Sequence, residues 1–336
     1  MSKKINLALQ GGGAHGAFTW GVLDALLQDP EITIEGISGT SAGAMNAVAL
    51  VQGWCNGIDS GTDPREAARD CLKKFWSGVT NMQSTLNSAP AAQWWAKMAT
   101  QWMSPYQSNP MDLNPLRKHL DALIDFDRLA AFKPMKSFVA ATKVTSGKAE
   151  IFSGKRLTVE AVMASACLPT IFKAVEIEGE AYWDGGFSGN PAFHPLIYQC
   201  ETADIMLVQL NPVVRESLPT TVDDIADRIN EINFNASVIS QMRAIAFVQQ
   251  LLADGKLDPK HYKNVLMHRI DGGDDLEAYT AATKLKADAT QTLALFTLGQ
   301  DRAKKWLGKH RNDIGSKSSV NIARDYLDDM RMGPHT

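Results

Sequence analysis

The sequence predicts an α/β protein with a mostly parallel central sheet. Two observations carry that expectation. Within the first fifty residues, short apolar runs alternate with segments of helical periodicity in the order strand, helix, strand, helix, the pattern of a parallel β-α-β unit. Further along, apolar runs of strand length recur at 137–144, 149–152, 174–177, 181–183, 205–210 and 265–270. Composition agrees. Hydrophobic residues make up 45% and charged residues 21% of the 336 positions, so there is ample apolar material for a core, and disorder of the whole chain is excluded.

Each element follows from its local pattern. Ile5-Asn6-Leu7-Ala8-Leu9 reads as a strand stopped by Gly11-Gly12-Gly13. Val22, Leu23, Leu26 and Leu27 sit at helical spacing, which predicts a helix over 17–27. Ile32 to Ile37 is a second strand, and the Ala-, Met- and Val-rich stretch up to Val51 a buried helix. Residues 55–64 are rich in Gly, Asp, Asn and Ser and read as a loop. Residues 65–130 look helical, interrupted by prolines at 90, 105, 110 and 115, and read as a helical insertion. Ser146-Gly147 is the turn between the strands at 137–144 and 149–152. Thr158 to Ala166 is a helix stopped before Pro169, and Gly179-Glu180 joins a hairpin. After Pro219 the pattern is helical to the end, apart from the strand at 265–270. The expected organisation is a catalytic domain over 1–212 and a mainly helical C-terminal region over 213–336 packed on it.

Several classes are disfavoured. Lys plus Arg number 34 against 37 Asp plus Glu, a net charge of −3, which supplies no global positive field for nucleic acid. No segment approaches the roughly 20 apolar residues of a membrane span. The N-terminal apolar run is broken by Asn6 and lacks the h-region of a signal peptide, so a cytoplasmic location is expected. Cys55, Cys71, Cys167 and Cys200 lie far apart, which predicts buried free thiols rather than disulfides or a zinc site.

Three motifs carry chemistry. Gly39-Thr40-Ser41-Ala42-Gly43 is a Gly-x-Ser-x-Gly between a predicted strand and a predicted helix. Such a turn strains the backbone, exposes the hydroxyl and needs small flanking residues so that neighbouring backbone can pass; the helix N-terminus adds partial positive charge. Gly11-Gly12-Gly13-Ala14-His15-Gly16 follows a strand and opens a helix. It matches the dinucleotide-binding Gly-x-Gly-x-x-Gly, with Glu35 roughly where a ribose-binding carboxylate belongs. The serine turn, however, occupies the ribose position, and a bare glycine loop can instead present N–H groups to an oxyanion. The third motif is Trp183-Asp184-Gly185-Gly186, which places a carboxylate after a short strand with no bulk beside it.

A serine hydroxyl needs a base within hydrogen-bond reach. His194 and His268 follow Asp184, so a Ser-Asp-His order is formally available. His194 sits in a turn-like stretch, His268 in a strand, and neither carries a motif. A direct pairing of Ser41 with Asp184 needs only residues that do.

These residues together resemble the patatin-like phospholipase family. The resemblance rests on Leu7 to Gly16, on Ile37 to Ala44, and on Ala164-Ser165-Ala166-Cys167-Leu168-Pro169 leading to Tyr182-Trp183-Asp184-Gly185-Gly186, and it covers about residues 5–212. It implies a three-layer α/β/α sandwich and a Ser–Asp dyad without a catalytic histidine. Carried over, Ser41 is the nucleophile and Asp184 its base. The amides of Gly11, Gly12 and Gly13, with that of Ala42, form the oxyanion hole, and Gly16, Gly39, Gly43, Gly185 and Gly186 support the motifs. Pro169 and Asn190 resemble framework positions. His15 stands where many members have a basic residue, and is expected to fix the loop rather than bind a head group. The implied reaction is ester hydrolysis of phospholipid or a related lipid through an acyl-enzyme, with no cofactor and no metal. Other hydrophobic esters, such as a storage polyester or a lysophospholipid, are alternative substrates, and a nucleotide-binding regulatory module is the alternative of another class.

Two further stretches bear on the lipid. On a helix, Trp95, Met98 and Trp102 share a face, and are expected to cover the acyl pocket or touch a lipid surface at a peripheral membrane contact. Asp271-Gly272-Gly273-Asp274-Asp275 lacks the ligand spacing of a calcium loop and reads as a solvated turn. The helices over 236–252 and 290–307 are amphipathic, with apolar faces expected to make core or subunit contacts.

Overall fold

The computed structural model describes residues 2–87, 104–108, 114–215, 218–277, 279, 281–284 and 287–327. Its centre is an eight-stranded sheet: β1 (Lys3–Leu9), β2 (Ile32–Thr40), β3 (Lys136–Lys143), β4 (Ala149–Phe152), β5 (Val175–Ile177), β6 (Glu180–Asp184), β7 (Asp204–Gln209) and β8 (Leu266–Asp271), in the order β5-β6-β3-β2-β1-β7-β8 with β4 on β3. β8, β7, β1, β2 and β3 run parallel, while β4, β5 and β6 are added antiparallel.

Side-chain alternation divides the core into two layers, as the two-residue strand period requires. Ile5, Leu7, Leu9, Val139, Ala141, Met206 and Val208 face one layer. It contains helices α1 (Gly16–Gln28), α2 (Ala42–Ser60), α3 (Pro64–Asn87), α4 (Val159–Ser165) and, later in the chain, the long helix Ala289–His310. Ala8, Phe138, Ile205, Leu207 and Met267 face the other. There α5 (His194–Gln199) and α6 (Val222–Ala253) pack, together with residues 320–327. The result is a three-layer α/β/α sandwich.

Local chemistry sets the boundaries. β2 is buried on both faces, its isoleucines at 32, 34 and 37 alternating with small or hydrogen-bonded polar residues. α3 starts with Pro64 at its first position and lays Ala68, Cys71, Leu72, Phe75 and Trp76 in one stripe against the core. The expected loop over 55–64 is shorter than predicted: α2 continues to Ser60 and closes on left-handed Gly61. Its glycines are not breakers. Gly53 and Gly57 lie one turn apart on the face where α3 crosses, and a methyl group on Gly57 would fall 2.5 Å from the Pro64 Cα. Packing overrides propensity there.

Residues 213–336 share the sheet rather than only covering it, since β8 pairs with β7 from Asp204↔Leu266 to Gln209↔Asp271. All four cysteines are buried thiols. Trp95, Met98 and Trp102, expected near the acyl chain, lie outside the described residues.

Candidate active site

Ser41 stands between the end of β2 and the start of α2, at φ 54° and ψ −121°. An L-residue held there stores on the order of 1–3 kcal/mol. The surroundings enforce it. The Ser41 N–H donates to the Ser165 hydroxyl at 2.8 Å, Thr40 Oγ1 donates to the Gly189 carbonyl at 2.6 Å, and Ser38 Oγ donates to the Ala192 carbonyl at 2.6 Å. The first turn of α2 also backs against β1: a methyl group on Gly43 would lie 2.2 Å from the Leu9 carbonyl oxygen. Gly39 and Gly43 therefore do the packing work read from the motif, and Gly16 adjoins Ala42.

Asp184 arrives by a register argument. β2 pairs with β3 as far as Thr40↔Ala140. At the next β3 residue the partner is Asp184 of β6, which runs in the opposite direction. β4 pairs across the other edge of β3, so β6 takes over the edge that β2 leaves when it turns at Ser41. The turn and the carboxylate thus meet at consecutive rungs. The Ser41 hydroxyl lies near the Asp184 carboxylate and favours its charged form. Asp184 Oδ1 also accepts the Gly186 N–H at 2.7 Å, and the Asp184 backbone is pinned by Cys167 and Thr142. Complete burial raises the Asp184 pKa from 3.8 to about 7, against the opposing pull of the Gly186 amide and the Ser41 hydroxyl.

The glycine loop lies at the carboxyl end of β1, where the sheet order departs to β2 on one side and β7 on the other, the usual ligand position in an open α/β sheet. A side chain on Gly11 would come within 2.8 Å of the Ser41 Cβ. Here one sequence assignment is corrected. The Gly11 N–H is already donated to Asn190 Oδ1 at 2.6 Å, so it is not a donor for an oxyanion. No partner among the described residues takes the N–H of Gly12, Gly13 or Ala42.

Of the frame behind this loop, sequence reasoning named Asn190 and missed the rest. Asn190 Nδ2 donates to the Phe234 carbonyl of α6, and the Asn190 N–H donates to the Ser237 hydroxyl. Gln10 Oε1 accepts from the N–H groups of Leu210 and Asn211 and its Nε2 donates to Asn235. Asn211 Nδ2 donates to the Gly11 carbonyl, and Lys284 Nζ to Asn211 Oδ1 at 2.7 Å. Gln10, Asn211 and Asn235 are buried amides, which need such partners, but their spacing of some 200 residues gave no local signal.

The remaining candidates fall elsewhere. His15 is buried, bonded to Thr283 Oγ1 at 2.7 Å, and driven by burial and by Lys284 down to a pKa of about 3. It is neutral at physiological pH and fastens the loop. His268 pairs with Asp204 at 2.9 Å, four residues back along β7 from the level of the site. His194 lies exposed at the start of α5, its pKa lowered by partial desolvation. Among the described residues no histidine bonds Ser41 or Asp184. The Glu35 carboxylate accepts the N–H groups of Glu201 and Thr202, five residues before β2 ends, and is spent away from the glycine loop. No metal-binding cluster of His, Cys, Asp or Glu occurs among the described residues, and no helix among them is long and apolar enough to cross a membrane.

Fold and turn define an α/β protein with a nucleophile-elbow geometry. The comparisons make this specific: the chain belongs to the patatin-like phospholipase family, whose model matches residues 7–197. Membership makes it a lipid acyl hydrolase in general. Among solved structures, VipD from Legionella pneumophila is similar, at 17% identity over 92% of this chain and 67% of that one, with a TM-score of 0.43. No curated protein matches.

Proposed function

We propose that the chain cleaves ester bonds of phospholipids through a Ser41–Asp184 dyad. The observation that carries this reading is the meeting, at consecutive rungs of β3, of a strained serine and a buried carboxylate whose pKa is raised to about 7. A base is most effective when its pKa is near the working pH. Asp184 takes the Ser41 proton as Oγ attacks the ester carbonyl. The negative charge that develops on the carbonyl oxygen is met by the N–H groups of Gly12, Gly13 and Ala42 and by the N-terminal end of α2. Collapse breaks the C–O bond, the proton on Asp184 passes to the departing alkoxide, and an acyl-Ser41 ester remains. Asp184 then accepts a proton from water, whose oxygen attacks the acyl carbon, and Ser41 leaves with that proton as the fatty acid is released.

The catalytic unit in this reading is residues 1–212, with 213–336 bracing the glycine loop through Asn235, Phe234, Thr283 and Lys284. Lysophospholipid and storage polyester are the competing ester substrates, reached at a peripheral membrane or particle surface. The test is a product profile. Purified chain is incubated with phosphatidylcholine vesicles, and the products are read by mass spectrometry. Free fatty acid with the matching lysolipid, both lost in Ser41→Ala, is the expected result. No ester cleavage on any of the three substrates would overturn the reading.

A further inference from the structure

Helix α6 has two faces. Glu231, Asn235, Val238, Met242 and Ile245 point into the molecule and are buried. On the opposite side Val222, Ile225, Ile229 and Ile232 form a stripe in 3-4-3 spacing, each between 43% and 83% exposed. Exposed Ala236 continues it, and Phe247 stands 61% exposed near its far end. Large aliphatic side chains at four successive seam positions within the first eleven residues of a 32-residue helix are not scattered surface residues. Apolar residues alternating at three and four positions are the seam by which one helix packs on another.

The charges choose the occupant. The first two turns of α6 carry Asp223, Asp224 and Asp227 against the single Arg228, which is paired with Glu231, whereas Arg243 is the only charged residue in its second half. The acidic end would be repelled by an anionic bilayer surface. It suits instead the other end of the same helix. We infer that α6 pairs antiparallel with α6 of a second copy of this chain, about a two-fold axis crossing near position 234. In that register Val222 meets the partner's Phe247, Ile232 meets the partner's Ala236, and Arg243 lies beside the partner's Asp224. The contact runs about 37 Å from Val222 to Phe247, and it is isologous, so it closes as a dimer. It also clamps the helix whose Phe234 carbonyl and Ser237 hydroxyl hold Asn190.

Sedimentation equilibrium of the full chain tests this without reference to activity. The wild type is expected to be a dimer. Ile229→Glu with Ile232→Glu should weaken the dissociation constant by at least about 100-fold, while circular dichroism stays unchanged because both positions face solvent in the monomer. Arg243→Asp should weaken association by itself, and Arg243→Asp with Asp224→Arg should restore it. A wild type that stays monomeric at the highest soluble concentration overturns the inference. So does a dimer indifferent to the double glutamate variant, a charge swap that fails to restore pairing, or a monomer that binds phosphatidylcholine vesicles through Ile229 and Ile232.

Discussion

Replacing Asp184 by asparagine should make the protein more stable and inactive at once. The carboxylate is fully buried, and burial lifts its pKa from 3.8 to about 7. A group whose folded pKa is raised binds its proton more tightly in the folded state, so its contribution favours folding at low pH and is lost as pH rises through the folded value. At roughly 1.4 kcal/mol per tenfold change in proton affinity, the ionised carboxylate costs about 4 kcal/mol above pH 7. That is a large share of a typical stability of about 5–15 kcal/mol. Asparagine keeps the oxygen that accepts the Gly186 N–H but never ionises. Urea unfolding of both proteins at pH 8 should favour Asp184→Asn by up to about 4 kcal/mol, and at pH 5 by only about 1.5 kcal/mol. A stability difference that does not change between pH 5 and pH 8 would refute the idea that this carboxylate is held ionised against burial.

Three other outcomes follow from the same geometry. In a steady-state assay, kcat/KM should rise about tenfold per pH unit below pH 7 and then level off, with no second break from His15, which is already neutral above a pH of about 3; a profile flat from pH 5 to 8 contradicts the base assignment. Asn190→Ala strands the buried Gly11 N–H and should cost about 1–3 kcal/mol in thermal or urea unfolding, with a loss of turnover at saturating substrate. Unchanged stability would mean that the loop is held by other groups. Gly43→Ala drives a methyl group into the Leu9 carbonyl and should fail to yield soluble, cooperatively unfolding protein; a well-folded variant would show that the turn has slack.

The strands and the serine turn were legible because their causes are local. β1 and β7 announce themselves as short, mostly apolar runs, β2 by its isoleucines at 32, 34 and 37, and Ser41 by the small residues on either side. The meeting of Ser41 with Asp184 was suggested by motif, but its cause is the rung on β3 where β6 replaces β2, which no local pattern encodes. The oxyanion loop was read one amide too generously. A glycine run advertises three bare N–H groups, while the side chain that claims the first comes from Asn190, 179 residues away. Residues 213–336 matched no motif because what they add at the site is single contacts, such as Thr283 on His15 and Lys284 on Asn211. The α2 boundary was misplaced for a third reason: glycine in a sequence looks the same whether it ends a helix or lets another helix approach.

The central claim is that Asp184 draws the proton from Ser41 so that its oxygen can attack an acyl carbon. The most direct measurement is the rate at which a fluorophosphonate modifies the protein, followed by intact mass and peptide mapping. A single adduct on Ser41, forming faster as pH rises through about 7 and slowed at least about 100-fold in Asp184→Asn, is the predicted result. An adduct on another residue, or an undiminished rate in Asp184→Asn, would contradict the account.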